Sequence, residues 1–131
     1  VIVHSSAIVS VVLDEPDGET LALTVSQAQR PRMSAANWLE AAMVIDSRGG
    51  TLLARRFDEV VATLGLEVVP VTLEQAVLAR RAHQEYGRGN HPAKLNYGDC
   101  FAYALAKVTG EPLLFKGNDF SQTDIQSALA I

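Results

Sequence analysis

Three carboxylates in this 131-residue chain stand where solubility alone does not explain them. Glu40 lies in Ala35-Ala36-Asn37-Trp38-Leu39-Glu40-Ala41-Ala42-Met43-Val44-Ile45 and is the only acid in that stretch. On a helix of about 3.6 residues per turn, its neighbours are Ala36, Met43 and Val44. A charge on an apolar face is costly unless it is paired or binds a metal. Asp99 opens Asp99-Cys100-Phe101-Ala102-Tyr103-Ala104-Leu105-Ala106, again with no other acid. Asp119 follows Leu113-Leu114-Phe115-Lys116-Gly117-Asn118. Brought together, such acids can gather oxygen ligands around a divalent ion. Magnesium takes hard oxygen donors and keeps waters for a substrate phosphate. An ion held in this way can orient a water and offset phosphate charge during in-line displacement. Each acid also has a plainer reading. Glu40 can sit in a surface salt bridge, Asp99 can cap a helix, and Asp119 can belong to a Gly-Asn-Asp turn, with Asp124 in a similar role.

The elements that must position these acids follow from pattern and punctuation. Residues 1–4 form a short apolar strand, and Ser5 or Ser6 is placed to cap a helix to about Leu13. Glu15-Pro16-Asp17-Gly18 is turn chemistry, and Asp17 can cap a helix to about Ala28. Pro31 to Ser34 is extended. Ser34 caps a helix over Ala35–Arg48, which Gly49-Gly50 stops. Thr51–Leu64 is helical with Gly65 just past its end, and Glu67–Val71 is a β-branched strand. Thr72 and Gln75 have capping-box spacing before a helix to about Tyr86. A polar loop from Gly87 to Gly98 precedes a helix from about Asp99 to Val108, ended by Gly110. Pro112–Lys116 is the last strand. Alternating strands and helices predict one domain over residues 1–131, an α/β fold with a mainly parallel sheet covered on both faces. Sites in such sheets lie at the carboxyl ends of strands, where His4 and Asp119 fall.

Composition narrows the field. Hydrophobic residues make up 48% and charged residues 20%, ordinary for a globular domain. No apolar run reaches the ~20 residues of a membrane helix. The apolar opening lacks a basic leader and meets Asp14 and Glu15, so it reads as strand plus helix rather than signal peptide. The single cysteine, Cys100, excludes an internal disulfide and reads as a small buried group; a reducing cytoplasm is the expected compartment. The net charge of -4 argues against holding nucleic acid by general positive charge. Arg88, His91 and Lys94 form a small basic loop that could touch an RNA backbone or simply be solvated. Trp38, Phe101 and Tyr103 read as core rather than as platforms for bases, and His83 as part of a solvated charged face.

With these positions in hand, the chain resembles the PIN-domain family, and within it the VapC toxins of bacterial toxin–antitoxin pairs. VIVHSSAIVSVVLDEPD is similar to the family's opening strand, acid, Ser-Ala and helix; SAANWLEAAMVI to the helix bearing the second acid. LNYGDCFAYALAK, with the third acid at Asp99, is the most specific segment, and EPLLFKGNDFSQTDI is similar to the strand, fourth acid and closing Thr-Asp. The resemblance covers essentially the whole chain. It implies a three-layer α/β/α sandwich and a Mg2+- or Mn2+-dependent endoribonuclease acting on RNA. It also implies a VapB-type antitoxin partner, a homodimer and no membrane. Carried over by residue, Glu40, Asp99 and Asp119 become metal ligands, Ser6 the hydroxyl near the first acid, and Asn96 and Lys116 polar neighbours. The departure is at the first acid, where this chain has His4. An imidazole offers one neutral nitrogen, which favours manganese or zinc over magnesium; alternatively His4 is hydrogen-bonded and ligates nothing. A second reading of the function is therefore a weakened PIN domain that binds antitoxin or RNA without efficient cleavage. An aspartyl-phosphate phosphatase is disfavoured, because His4-Ser5-Ser6 lacks the acid-rich motif that it needs after the first strand.

Overall fold

A computed structural model describes residues 1–129. The chain runs β1 (Ile2–Val3), α1 (Ser5–Val12), α2 (Gly18–Gln27), β2 (Arg32–Ser34), α3 (Ala35–Arg48), α4 (Thr51–Thr63), β3 (Glu67–Val69), α5 (Leu73–Tyr86), α6 (Tyr97–Thr109) and β4 (Leu113–Leu114). The four strands form one sheet in the order β3-β2-β1-β4, and every pairing is parallel. Ile2 faces Arg32 on one side and Leu113 on the other, which puts β1 in the middle.

Alternation along the strands divides the core in two. Ile2 and Leu113 join residues of α5 and α6, while Val3 and Leu114 join residues of α1 to α4. Successive side chains of a strand point to opposite faces, so two buried neighbours on a two-residue strand require cover on both sides. The result is the expected α/β/α sandwich. Helix α1 is apolar because Ala7, Ile8 and Val12 are buried in the second core.

Several ends differ in detail from the sequence expectation. The cap of α1 is His4, not a serine: its Nδ1 accepts from the Ser6 backbone N–H at 3.0 Å. Asp17 occupies the N-cap position of α2 without capping it, because its carboxylate accepts from Ser10 Oγ at 2.7 Å instead. Helix α6 begins at Tyr97, two residues before the expected start, because Asn96 supplies the cap. Thr72 does cap α5, accepting from the Gln75 N–H at 3.1 Å. Gly110 closes α6 with φ 69°, a left-handed position where glycine meets no Cβ penalty.

Asp124 fastens the segment after β4 back onto α6. It accepts from Tyr103 Oη at 2.7 Å and from Lys107 Nζ at 2.6 Å. Burial alone would push its carboxyl up, but these two donors outweigh burial and hold it below the ordinary aspartate value. A depressed carboxyl contributes stability above its unfolded pKa of about 3.9 and loses it as pH falls through the folded value. Asp124→Asn is therefore expected to cost up to about 1 kcal/mol at pH 7, the range of half-exposed pairs. Urea denaturation should show the gap to wild type closing below about pH 4; a gap independent of pH would contradict this assignment.

Candidate active site

The polar centre lies just beyond the carboxyl end of β1. Ser34 ends β2 and caps α3 by accepting from Ala36 N–H at 3.2 Å, so α3 leaves the sheet at the same edge. His4 is buried, and both ring nitrogens are engaged. Nδ1 accepts from the Ser6 N–H and lies 2.8 Å from Ser6 Oγ. A backbone N–H can only donate, so the ring proton sits on Nε2. Nε2 then donates to Asp99 Oδ1 at 2.8 Å. Phe120 closes the other side, its ring edge-on to the imidazole at 5.3 Å between centroids.

Asp99 is 2% exposed. Its second oxygen accepts from the Asn96 N–H at 3.0 Å, while Asn96 Oδ1 accepts from the Asp99 N–H at 2.8 Å, a complete capping box. Asp99 is thus the third residue of α6 and not its cap. The positive end of α6 adds to the compensation of its charge. Next to it, burial and then the Asp99 charge push the Cys100 thiol up, which keeps it out of thiolate chemistry.

Glu40 comes from α3 into the same neighbourhood. Its Oε1 accepts from Ser5 Oγ at 2.5 Å and from Asn37 Nδ2 at 3.3 Å. Asn37 Nδ2 also donates to the Gly98 carbonyl at 2.9 Å, tying α3 to the start of α6. A Cβ built on Gly98 would lie 2.2 Å from Glu40 Oε2, so glycine is what lets the carboxylate pack there. Two direct bridges therefore join the acids: Gly98 precedes Asp99 and touches Glu40, and Ser5, which follows His4, bonds Glu40. Ser5, Asn37 and Gly98 were not among the expected site residues. The signal for Asn37 was faint: an amide in the first turn of α3, one turn before Glu40.

The remaining expected residues fall further out. Ser6 Oγ accepts from the Lys116 N–H at 2.9 Å, while Lys116 Nζ reaches Glu15 at 3.2 Å and Asp17 at 3.3 Å, away from the acids. Asp119 is exposed and has no hydrogen bond among the described residues; it precedes Phe120, which packs on His4. Among the described residues, no three His, Cys, Asp or Glu side chains converge as a metal-holding group. The donors that remain are nonetheless those of a hard cation. Glu40 and Asp99 are carboxylates with lone pairs to spare, and the wholly buried Asn37 has an Oδ1 with no partner. His4 does not fit as a ligand in this arrangement, since Nδ1 is taken by the Ser6 backbone N–H, with the Ser6 hydroxyl beside it, and Nε2 carries a proton.

Comparisons with known proteins identify the family and support the fold. The PIN domain model matches residues 1–126. Ribonuclease VapC28 of Mycobacterium tuberculosis is 46% identical over 129 residues, 98% of this chain and 97% of that protein. Ribonuclease VapC of Mycolicibacterium smegmatis is 47% identical over 124 residues, covering 95% and 96%. Among solved structures, the Sarcin-Ricin loop cleaving toxin VapC20 of Mycobacterium tuberculosis superposes with TM-score 0.77 at 16% identity, covering 95% of each chain. A toxin–antitoxin complex from Klebsiella pneumoniae gives a TM-score of 0.72 at 13% identity, covering 99% of this chain and 98% of that one. The fold and site define a PIN domain, and the chain belongs to the VapC ribonucleases of that family.

The contact between Gly98 and Glu40 makes a sharp test. In Gly98→Ala the new methyl meets only the end of a flexible side chain, so Glu40 must move while the fold survives. Thermal melts should fall modestly, within the ~1–3 kcal/mol of overpacking, and RNA cleavage should drop far more. Adding Glu40→Ala should restore the melting temperature but not the cleavage. An active, unperturbed Gly98→Ala protein would mean that the Glu40 position does not matter.

Proposed function

We propose that this chain is a divalent-metal-dependent endoribonuclease that hydrolyses RNA phosphodiester bonds as the toxin of a toxin–antitoxin pair, with an activity tempered by His4. The observation that carries the reading is the buried Asp99 carboxylate bridged to Glu40 at the carboxyl end of a parallel sheet, in a chain whose relatives are named ribonucleases. Glu40 and Asp99 would hold Mg2+ or Mn2+, with Asp119 as the third acid. When bound, such an ion offsets phosphate charge and makes water easier to deprotonate.

The chain's own residues prepare for that task. The capping box fixes the Asp99 carboxylate, and Ser5 and Asn37 fix that of Glu40, so little reorganisation is left for the reaction. His4 alters one term of this balance. Where a fourth carboxylate would stand, the His4 ring donates a hydrogen bond from Nε2–H to Asp99, so the centre has one negative charge fewer and one acceptor already taken. Cation affinity falls accordingly.

An antitoxin is the proposed partner, and the surface for it is not α1. Leu23 on α2, Leu39 and Met43 on α3 and Leu52 on α4 are exposed, and an apolar peptide face would cover them. A homodimer is proposed as well, to be read from sedimentation at micromolar concentration. No helix among the described residues is long and apolar enough to cross a membrane.

His4→Asp tests the reading directly. By calorimetry, magnesium affinity should rise at least about tenfold, the effect of about 1.4 kcal/mol, and cleavage of a labelled RNA should rise with it. In chelator the same variant should melt below wild type, because two adjacent carboxylates then repel, and magnesium should reverse the loss. Equal affinity, cleavage and melting in the two proteins would make His4 a bystander.

A further inference from the structure

On the opposite helical face from α1, a cleft of about 600 Å³ opens between α5 and α6. The volume is within the range of small-ligand pockets, roughly 300–1,000 Å³. Its walls combine apolar and aromatic surface with cations: Leu95, Phe101 and Tyr97 beside Arg80 and Arg88, with no acid among the lining residues. Tyr97 is 82% exposed and stacks edge-on against Phe101, 4.8 Å between centroids. Neither arginine side chain has an ion pair or hydrogen bond among the described residues, which leaves both guanidinium groups available to a ligand, as those of Arg48, Arg55 and Arg81 also are. What distinguishes Arg80 and Arg88 is their place: in a chain of net charge -4 they share an aromatic cleft that no acid lines. The cleft also adjoins the acids: Asn96, which caps Asp99, and Cys100, which follows it, both line the cleft.

We propose that this cleft is a nucleotide subsite for single-stranded RNA, in which an unpaired base stacks on Tyr97 and Phe101 and its phosphates meet Arg80 and Arg88. Aromatic faces accept any base, and arginines track the backbone, which is the combination by which single strands are bound. The placement beside Asn96 and Asp99 would seat a nucleotide flanking the scissile phosphate. Phe101 thus lies half-buried on a wall of this cleft rather than in the core, and of the basic loop only Arg88 takes part; Lys94 does not line the cleft. The proposal rests on the ribonuclease reading and adds to it the place on this chain where a nucleotide beside the cut is held.

The test is binding of a short single-stranded RNA carrying 2-aminopurine, in chelator so that no cleavage occurs. Tyr97→Ala should weaken binding about ten- to hundredfold and abolish the quenching of the fluorescent base, while Tyr97→Phe keeps both. Arg80→Ala with Arg88→Ala should flatten the salt dependence by about 0.7 per lost phosphate contact. Circular dichroism of each variant confirms folding. Equal affinity and quenching in Tyr97→Ala and wild type would overturn the subsite while leaving the ribonuclease reading intact. So would a Tyr97→Ala protein that changes its sedimentation but not its RNA affinity, since the cleft would then serve a second copy of the chain. A wild-type protein that binds no RNA would overturn both.

Discussion

The compensation of one buried charge governs the arrangement of this molecule. Asp99 lies 2% exposed at the start of α6, and an unpaired carboxylate there would cost several kcal/mol. Three sources relieve it: the His4 Nε2–H, the Asn96 N–H and the positive end of the helix. Each source comes from a different level of structure. The imidazole is delivered by the central strand, the amide by the loop before α6, and the dipole by α6 itself. A shift in any of them exposes the cost, so the first strand, the second half of the chain and the polar loop are locked to one register.

That lock explains the unusual neighbours of the site. His4 can donate to Asp99 only because its other nitrogen caps α1, so the histidine joins strand, helix and acid in a single residue. Ser5, next in the chain, then falls on Glu40, and Gly98, just before Asp99, leaves room for the Glu40 carboxylate. The two acids are linked through their chain neighbours, Ser5 and Gly98, and four carboxylates in the same space would repel one another.

Much of this was legible from residue pattern. Short continuous apolar runs around Ile2-Val3 and Leu113-Leu114 marked strands buried on both faces, and Gly49-Gly50, Gly65 and Gly110 marked helix ends, because local sterics decide those features. Glu40 and Asp99 stood out as acids with no charged neighbours, and the structure joins them. Two caps escaped the reading although they are local: His4 caps α1 through Ser6 and Asn96 caps α6 through Asp99, and several neighbouring side chains at each helix start could have served. The packing of Glu40 against Gly98 could not be read because it joins residues far apart in sequence. Asp119 shows the reverse case: the family resemblance implies that it is a site acid, yet its side chain is exposed, outside the hydrogen-bonded centre.

In the proposed function, RNA hydrolysis depends on the Asp99 carboxylate. The most direct measurement is cleavage of a labelled single-stranded RNA in manganese by wild type and Asp99→Asn, with folding of both verified by circular dichroism. The asparagine keeps the shape but retains one acceptor for two donors, so some loss of stability, about 1–3 kcal/mol, accompanies the loss of charge. The account predicts slow, chelator-sensitive cleavage by wild type and none by the folded variant. Cleavage at the wild-type rate by folded Asp99→Asn would contradict it.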